Sequence, residues 1–266
     1  MTVRLIATDL DGTLLHSDGS VSERSRAVHT SAAAAGFLVV FTTGRPPRWM
    51  PPVAEATGHT GVAVCANGAL LYDMETEEVV RENPLDPAVG AEVARALRER
   101  IPDLVFAVER GTGFGLEPQY RARAPLPSGA EVAAIEDLLT APVAKLLARH
   151  PTLDSDTLLA QAREIVGDLA TFTHSSPNGL LEISGPGVSK ALALEQLATE
   201  GGIASDETIG FGDMPNDLPM LAWVGHSVAV ANAHDDVLAA VDEVTASNDD
   251  DGVAVVIERL LSDRSA

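Results

Sequence analysis

The chain has 266 residues, of which 45% are hydrophobic and 21% charged, so it is long enough for one large or two modest domains and too apolar to be disordered. Its formal net charge of −21 leaves no basic surface for a nucleic acid or an anionic membrane, and neither is an expected partner. A single cysteine, Cys65, allows no intrachain disulfide, and neither a signal peptide nor a run of ~20 apolar residues is evident. We therefore expect a cytoplasmic protein, with no obligate protein partner evident.

Short apolar runs alternate with helical patterns in the first and last parts of the chain. Helices are predicted over Ser22–Ala35 and Lys190–Thr199, each with a serine N-cap and a glycine just beyond its end. Strands are predicted at Val3–Thr8, Phe37–Thr43, Val62–Cys65, Thr208–Phe211 and Val228–Val230. Nearly continuous apolar strands separated by helices are typical of an α/β fold, here a doubly wound, Rossmann-like parallel sheet.

The middle of the chain has a different pattern, bounded by the breaks Pro84–Pro87 and Ser184–Gly187. Three helices are predicted there, at Pro87–Arg100, Ala130–Leu139 and Asp156–Val166. Strands are predicted at Leu104–Glu109, Phe114–Glu117, Val143–Ala148, Leu169–His174 and Leu180–Ser184. This mixture predicts an α+β cap domain, residues 84–186, inserted into a core domain formed by residues 1–83 and 187–266.

Two acids, Asp9 and Asp11, directly follow the first predicted strand, and Gly12 allows the chain to turn there. The carboxyl end of such a strand faces the crevice in which open α/β sheets bind ligands. Two carboxylates this close need either a cation or a shared proton. One could then act as a nucleophile and the other as a general acid and base. The alternative is a turn whose acids merely cap a helix.

Candidate phosphate-binding and charge-stabilising groups follow other predicted strands. Thr43 and the backbone of Gly44 come after the second strand, where a hydroxyl and N–H groups can hold phosphate oxygens, unless Thr43 only forms a local turn. We expect Arg45 to be structural. Lys190 starts a helix, where the helix dipole favours an acid, so its ammonium is a candidate for charge stabilisation. The only other lysine, Lys145, lies in an apolar strand, and a snorkelling side chain is expected.

The segment Gly212–Asp217 follows the strand Thr208–Phe211 and carries Asp213, Asn216 and Asp217. Carboxylate oxygens at a strand end suit Mg²⁺, which usually takes one or two carboxylates together with water and phosphate. The alternative is an acidic loop that caps the next helix.

Together, Asp9–Thr13, Thr43–Arg45, Gly187–Lys190 and Gly212–Asp217 resemble the four motifs of the haloacid dehalogenase superfamily, in the same order. The segments Asn67–Ala69, Val230–Ala233, Ser247–Asn248 and Asp251–Val253 resemble the Cof-type branch, which carries its cap between the second and third motifs, where the inserted domain lies here. The resemblance implies that Asp9 attacks phosphorus and that Asp11 protonates the leaving oxygen and then activates water.

The same resemblance implies the remaining roles. Mg²⁺ would contact Asp9, the backbone carbonyl of Asp11, and Asp213. Thr43, Gly44 and Asn216 would bind the phosphate, and Asp217 would act on Lys190 or on a metal-bound water.

The function implied is a Mg²⁺-dependent phosphatase that forms an aspartyl-phosphate on Asp9. Its substrate would be a small phosphorylated metabolite, such as a sugar or polyol phosphate or a phosphorylated cofactor. A phosphomutase on the same core is one alternative, and a non-enzymatic phosphoacceptor module is another. Asp11 disfavours the module, because a domain that is meant to stay phosphorylated has no use for a second acid that activates water.

Overall fold

The computed structural model of the protein describes residues 3–111, 113–122 and 125–265. In chain order, the strands are β1 Leu5–Asp9, β2 Leu38–Thr42, β3 Val62–Cys65, β4 Leu70–Asp73, β5 Glu78–Glu82, β6 Val105–Glu109, β7 Phe114–Leu116, β8 Glu131–Val132, β9 Lys145–Arg149, β10 Thr171–Thr173, β11 Leu180–Ser184, β12 Thr208–Gly212, β13 His226–Ala229 and β14 Glu243–Val244. The helices are α1 Glu23–Ala34, α2 Pro51–Thr57, α3 Pro87–Arg100, α4 Ile135–Leu138, α5 Ser155–Val166, α6 Lys190–Glu200, α7 Leu218–Trp223, α8 Asp235–Leu238 and α9 Gly252–Ser265. Within these ranges, no helix is both long and apolar enough to cross a membrane.

The first sheet has eight strands in the order β14-β13-β12-β1-β2-β3-β4-β5. Strands β14 to β3 are parallel, and the hairpin of β4 and β5 adds an antiparallel edge. The chain leaves β1 towards β2 on one side and returns to β12 on the other, so β1 lies at the point where the strand order reverses. Ligands bind at such a point in open α/β sheets. The predicted fold class, a doubly wound α/β sheet, is confirmed.

The caps of the core helices agree with the sequence pattern. The Ser22 side chain accepts a hydrogen bond from the Ser25 N–H at the start of α1, and the Ser189 side chain accepts one from Leu192 at the start of α6. Each cap satisfies a backbone donor that has no partner within the helix. The Ser189 cap fixes the first residue of α6, Lys190, next to the sheet.

The second sheet has six strands in the order β10-β11-β9-β6-β7-β8. Its pairs are antiparallel except for β7 with β8. Helices α3 and α5 pack together, and their apolar side chains join one face of this sheet in a second core that includes Leu97, Phe106, Leu146, Leu158 and Ile183. Because successive side chains along a strand point to opposite faces, the face of this sheet that α3 and α5 do not cover carries a different set of residues.

One helix prediction in the middle of the chain is wrong. Residues 130–139 contain β8 and only a single helical turn, α4. Strand β8 pairs with β7 through Gly115 opposite Glu131, so a tertiary pairing overrides the local helical pattern. The edge strands β4, β5 and β14 were not predicted either. The domain boundaries at residues 83/84 and 186/187 stay a prediction.

Candidate active site

The carboxyl ends of three neighbouring strands bring the predicted site residues to one edge of the first sheet. Asp9 is the last residue of β1, Thr43 follows β2, and Asp213 follows β12. The register pairs Asp9 with Thr42 on one side and Thr8 with Phe211 on the other, so these ends lie level with one another. Parallel strands of matched register therefore assemble the site from segments about 200 residues apart in sequence.

Lys190 lies at the centre of this edge with its side chain fully buried. Its Nζ donates to Asp9 Oδ1, to Asp217 Oδ1 at 2.7 Å and to the backbone oxygen of Thr42 at 3.4 Å. Burial lowers the pKa of the Lys190 ammonium, but the charges of Asp217 and Asp9 outweigh this effect and raise the pKa above its ordinary value. Lys190 is therefore held as a cation against the carboxylate of Asp9.

Three buried acids, Asp9, Asp213 and Asp217, offer carboxylate oxygens that lie within 4.8 Å of one another. Asp217 accepts the backbone N–H groups of Asp213 and Met214 at 3.0 and 3.1 Å, in addition to Lys190. Burial is the largest cause that raises the pKa of Asp9 well above its ordinary value, and the opposing charge of Lys190 does not cancel it. Burial, followed by the charge of Asp217, raises the pKa of Asp213 to about 7.

These pKa directions show a deficit of positive charge in the cluster. The Lys190–Asp9 pair stabilises the charged lysine, yet the pKa of Asp9 stays raised, first because Asp9 is buried and then because Asp217 and Asp213 add negative charge beside it. A divalent cation would correct this deficit, and clustered carboxylate oxygens are the hard ligands that Mg²⁺ prefers. The residues present therefore fit a Mg²⁺ site that includes Asp9 and Asp213.

Gly12 makes room for the Asp213 carboxylate. Its backbone has a φ of +82°, and a Cβ at this position would collide with Asp213 Oδ2. The next residue, Thr13, donates its hydroxyl to Asp213 Oδ1 at 2.9 Å. The turn after β1 therefore holds the acid that follows β12.

The carboxylate of Asp11 lies apart from the acidic cluster. Arg45 donates to it through two parallel hydrogen bonds, Nε to Oδ2 at 2.7 Å and Nη2 to Oδ1 at 2.6 Å. The Asp11 side chain is 59% exposed, and both residues line the same cavity. Arg45, which we expected to be structural, thus orients the acid that the motif assigns to proton transfer.

The predicted phosphate-binding residues are only partly brought together. Gly44 and Asn216 line the cavity, and Asn216 Oδ1 is buried without a hydrogen-bond partner among the described residues. Asn216 Nδ2 donates to Asn67 Oδ1 at 3.2 Å. Thr43 is fully buried, and its hydroxyl accepts the backbone N–H of Arg45 at 3.0 Å, which is the local turn of the alternative interpretation.

Lys145, on the second sheet, contacts the loop after β2 that carries Gly44. The expectation of a snorkelling side chain is wrong: Lys145 is 3% exposed, and its Nζ donates to the backbone oxygen of Gly44 at 2.7 Å. Glu182 lies 3.5 Å from the same Nζ, and it also accepts from Ser175 at 3.0 Å and from Asn67. A charged residue within each of two apolar strands is the only sequence signal that could have singled out Lys145 and Glu182.

A cavity of about 520 Å³ extends from the acidic cluster between the two sheets. The core contributes charged and polar groups at one end, among them Asp9, Asp11 and Asp213. The second sheet contributes the opposite wall through residues such as Phe114, Leu147 and Glu182. The site is thus a cavity between the two sheets with one acidic end that is suited to a metal ion.

Comparisons with known proteins agree with this geometry. The family model described as haloacid dehalogenase-like hydrolase matches residues 6–257. Over 97% of its length, the chain is 30% identical to a putative phosphatase of Bacillus subtilis (98% of that protein) and 27% identical to a pyridoxal phosphate phosphatase of Escherichia coli (98% of that protein). It is also 30% identical, over 96% of its length, to a chloroplastic endoribonuclease of Arabidopsis thaliana, but the chain spans only 46% of that protein.

Among solved structures, a haloacid dehalogenase-like hydrolase from B. subtilis superposes with a TM-score of 0.81 at 27% identity, over 97% of this chain and all of the other. The resemblance drawn from the four motifs is therefore confirmed. The chain belongs to the haloacid dehalogenase-like hydrolases, in the Cof-type group.

Proposed function

We propose that this protein is a Mg²⁺-dependent phosphatase that hydrolyses a small phosphorylated metabolite through a phosphorylated Asp9. The enzyme class, a phosphoric monoester hydrolase, is supported by the family and by the named phosphatases among its relatives. The observation that carries the mechanism is the buried carboxylate of Asp9, which ends β1 against the Lys190 ammonium and opens onto the cavity.

In the first step, a carboxylate oxygen of Asp9 forms a bond to phosphorus, and the bond from phosphorus to the leaving oxygen breaks. Asp11 gives its proton to that oxygen, so the alcohol leaves neutral. In this structure both Asp11 oxygens accept from Arg45, the arrangement of the ionised acid, so one of these two hydrogen bonds is released when Asp11 carries the proton. The product of this step is an aspartyl-phosphate on Asp9 and an ionised Asp11.

In the second step, Asp11 removes a proton from a water molecule, and the water oxygen attacks phosphorus. The bond from phosphorus to Asp9 breaks, which releases inorganic phosphate and restores both the carboxylate of Asp9 and the proton on Asp11. Asp11 is suited to both steps because it lies at the exposed side of the site, where alcohol and water exchange.

Positive charge and hydrogen-bond donors support both steps. Lys190 orients Asp9 and offsets its charge, and the Asn216 amide nitrogen, which donates one N–H to Asn67, has a second N–H for phosphate at the cavity wall. Mg²⁺ held by Asp9 and Asp213, with the backbone carbonyl of Asp11, would neutralise charge on the phosphoryl oxygens.

A small substrate is consistent with the cavity volume of about 520 Å³ and with the pyridoxal phosphate phosphatase among the relatives. The exposed, arginine-oriented Asp11 favours hydrolysis over a stable phosphoacceptor module. A phosphomutase would use the same acids, and only the fate of the phosphoryl group separates the two enzymes.

The test is phosphate release from a panel of phosphorylated metabolites in the presence of Mg²⁺. Wild type and Asp168→Asn, which alters an exposed acid remote from the cavity, should release phosphate, and Asp9→Asn should not. Isomerised ester without free phosphate would identify a mutase. Substantial turnover by Asp9→Asn would contradict the mechanism.

A further inference from the structure

Among residues 3–111, 113–122 and 125–265, four basic side chains line the cavity, and three of them are paired with acids. The pairs are Arg45 with Asp11, Arg48 with Glu109, and Lys145 with Glu182. The fourth, Arg149, has no carboxylate partner in the part of the chain that the structure describes. Since the other three are compensated, Arg149 is, among the described residues, the cation on this wall that is available to a ligand.

The hydrogen-bonding capacity of Arg149 is only partly used. Its Nη1 donates to the backbone oxygen of Asn178 at 3.5 Å, the outer limit for a hydrogen bond. Its Nε is buried and has no partner among the described residues. The guanidinium carbon lies 5.6 Å from the centre of the Tyr120 ring, within the range of a cation–π contact. A guanidinium carries five N–H donors, so some of them remain for a ligand beyond the contacts to Asn178 and to the Tyr120 hydroxyl.

Arg149 lies at the end of the cavity that is remote from the nucleophile. Lys145, Leu147 and Arg149 alternate along β9, and all three line the cavity. Lys145 contacts the backbone of Gly44 beside the phosphate end. Arg149 is four residues further along the strand, which corresponds to roughly 13 Å between the two Cα atoms.

The wall between these two ends is largely apolar, except for Glu182, which lies opposite Leu147 in the sheet and is paired with Lys145. Phe114, Tyr120 and Leu147 belong to a small hydrophobic cluster on this face of the second sheet, and Leu180 packs against it. All four residues line the cavity. A ligand that extends from the acidic cluster to Arg149 therefore passes over a hydrophobic surface before it reaches the cation.

We infer that Arg149 binds a second anionic group of the substrate. The substrate class is a phosphate monoester whose leaving group has an apolar middle and a carboxylate or a second phosphate at its far end. This inference rests on the proposed phosphatase function and specifies its substrate. The cation must act locally, because the protein's net charge of −21 repels anions at long range.

The test compares matched aryl esters that differ only in charge at the far end. The probes are para-carboxyphenyl phosphate and the neutral para-carbamoylphenyl phosphate, with their biphenyl homologues, which place the anion further from phosphorus. A phosphonomethyl analogue distinguishes a preference for a second phosphate from one for a carboxylate. The kcat/KM ratio of charged to neutral ester is measured for wild type, Arg149→Gln and Arg149→Lys. Arg163→Gln serves as the control, since this arginine lies on α5 outside the cavity.

Wild type should prefer at least one of the charged esters by about 10- to 100-fold, the range expected for charge-assisted hydrogen bonds. Arg149→Gln should bring the ratio near one, mainly through KM, while Arg149→Lys keeps part of the preference and Arg163→Gln keeps all of it. Comparing ratios between variants cancels the different leaving-group chemistry of the esters and any general loss of folding.

Equal hydrolysis of charged and neutral esters by wild type would overturn the inference and leave the phosphatase function intact. If no ester were hydrolysed, the proposed function would fail, and calorimetric binding of para-carboxybenzylphosphonate and its amide would decide the inference. Tighter binding of the carboxylate that is lost in Arg149→Gln would support it, and equal affinities would overturn it.

Discussion

Neutralising Asp213 should stabilise the metal-free protein while it abolishes activity. In the substitution Asp213→Asn, the amide oxygen can still accept the Thr13 hydroxyl, so the change removes charge and little else. Burial, with the charge of Asp217 next, raises the pKa of Asp213 to about 7, from an ordinary value of 3.8. The folded protein therefore holds a proton on this acid over a pH range in which the unfolded chain has released it.

The sign and size of the effect follow from this difference. Because the folded state binds more protons between about pH 4 and pH 7, the free energy of unfolding of the metal-free wild type falls as the pH rises through that window. A shift of about three pKa units corresponds to about 4 kcal/mol. Above pH 7 the full penalty applies, so Asp213→Asn should be more stable there by up to about 4 kcal/mol, or about 10 °C in Tm.

The assay is urea or thermal unfolding in EDTA, followed by circular dichroism across this pH range. Asp168→Asn serves as the control, because its side chain is exposed. Saturating Mg²⁺ should stabilise the wild type, since a ligand that binds only the folded state raises its stability. The difference in free energy of unfolding between Asp213→Asn and wild type should then disappear. Equal stability of Asp213→Asn and wild type above pH 7 in EDTA would refute the charge deficit inferred for the acidic cluster.

Three other outcomes follow from the same site. Exhaustive chelation should stop phosphate release and Mg²⁺ should restore it, because the acids supply only oxygen ligands; full activity after chelation would argue against a metal. Lys190→Met should lower the free energy of unfolding by about 3–5 kcal/mol, measured in urea, because Asp9 and Asp217 lose their buried partner; a loss below ~1 kcal/mol would count against that pairing. Arg45→Gln should lower kcat about 10-fold or more with unchanged circular dichroism, because Asp11 loses its orientation; an unchanged kcat would make the contact incidental.

The sequence predicted those parts of the site that depend on strand ends. Asp9, Lys190 and Asp213 each lie at a strand end or a helix start, and the apolar runs that locate those ends are local signals. Parallel pairing then brings the ends together without further information from side chains. For this reason the acidic cluster could be expected before the fold was known.

The contacts between the two sheets were not predictable in the same way. Lys145 was expected to reach solvent, but it donates to Gly44, and its acidic partner Glu182 was not expected at all. Both contacts depend on how the second sheet lies over the first, which no local pattern specifies. The two hydrogen bonds from Arg45 to Asp11 likewise depend on two turns that are adjacent only in the folded protein.

The central claim is that Asp9 carries the phosphoryl group, and rapid-quench intact-mass analysis tests it most directly. Asp11→Asn cannot activate water well, so an aryl phosphate, which needs little acid assistance to leave, should phosphorylate the enzyme faster than water clears it. We expect one added phosphate, located by peptide mapping on Asp9 and absent from the Asp9→Asn, Asp11→Asn double variant. Turnover of the aryl phosphate by Asp11→Asn at the wild-type rate with no labelled protein, or a label on another residue, would contradict the account.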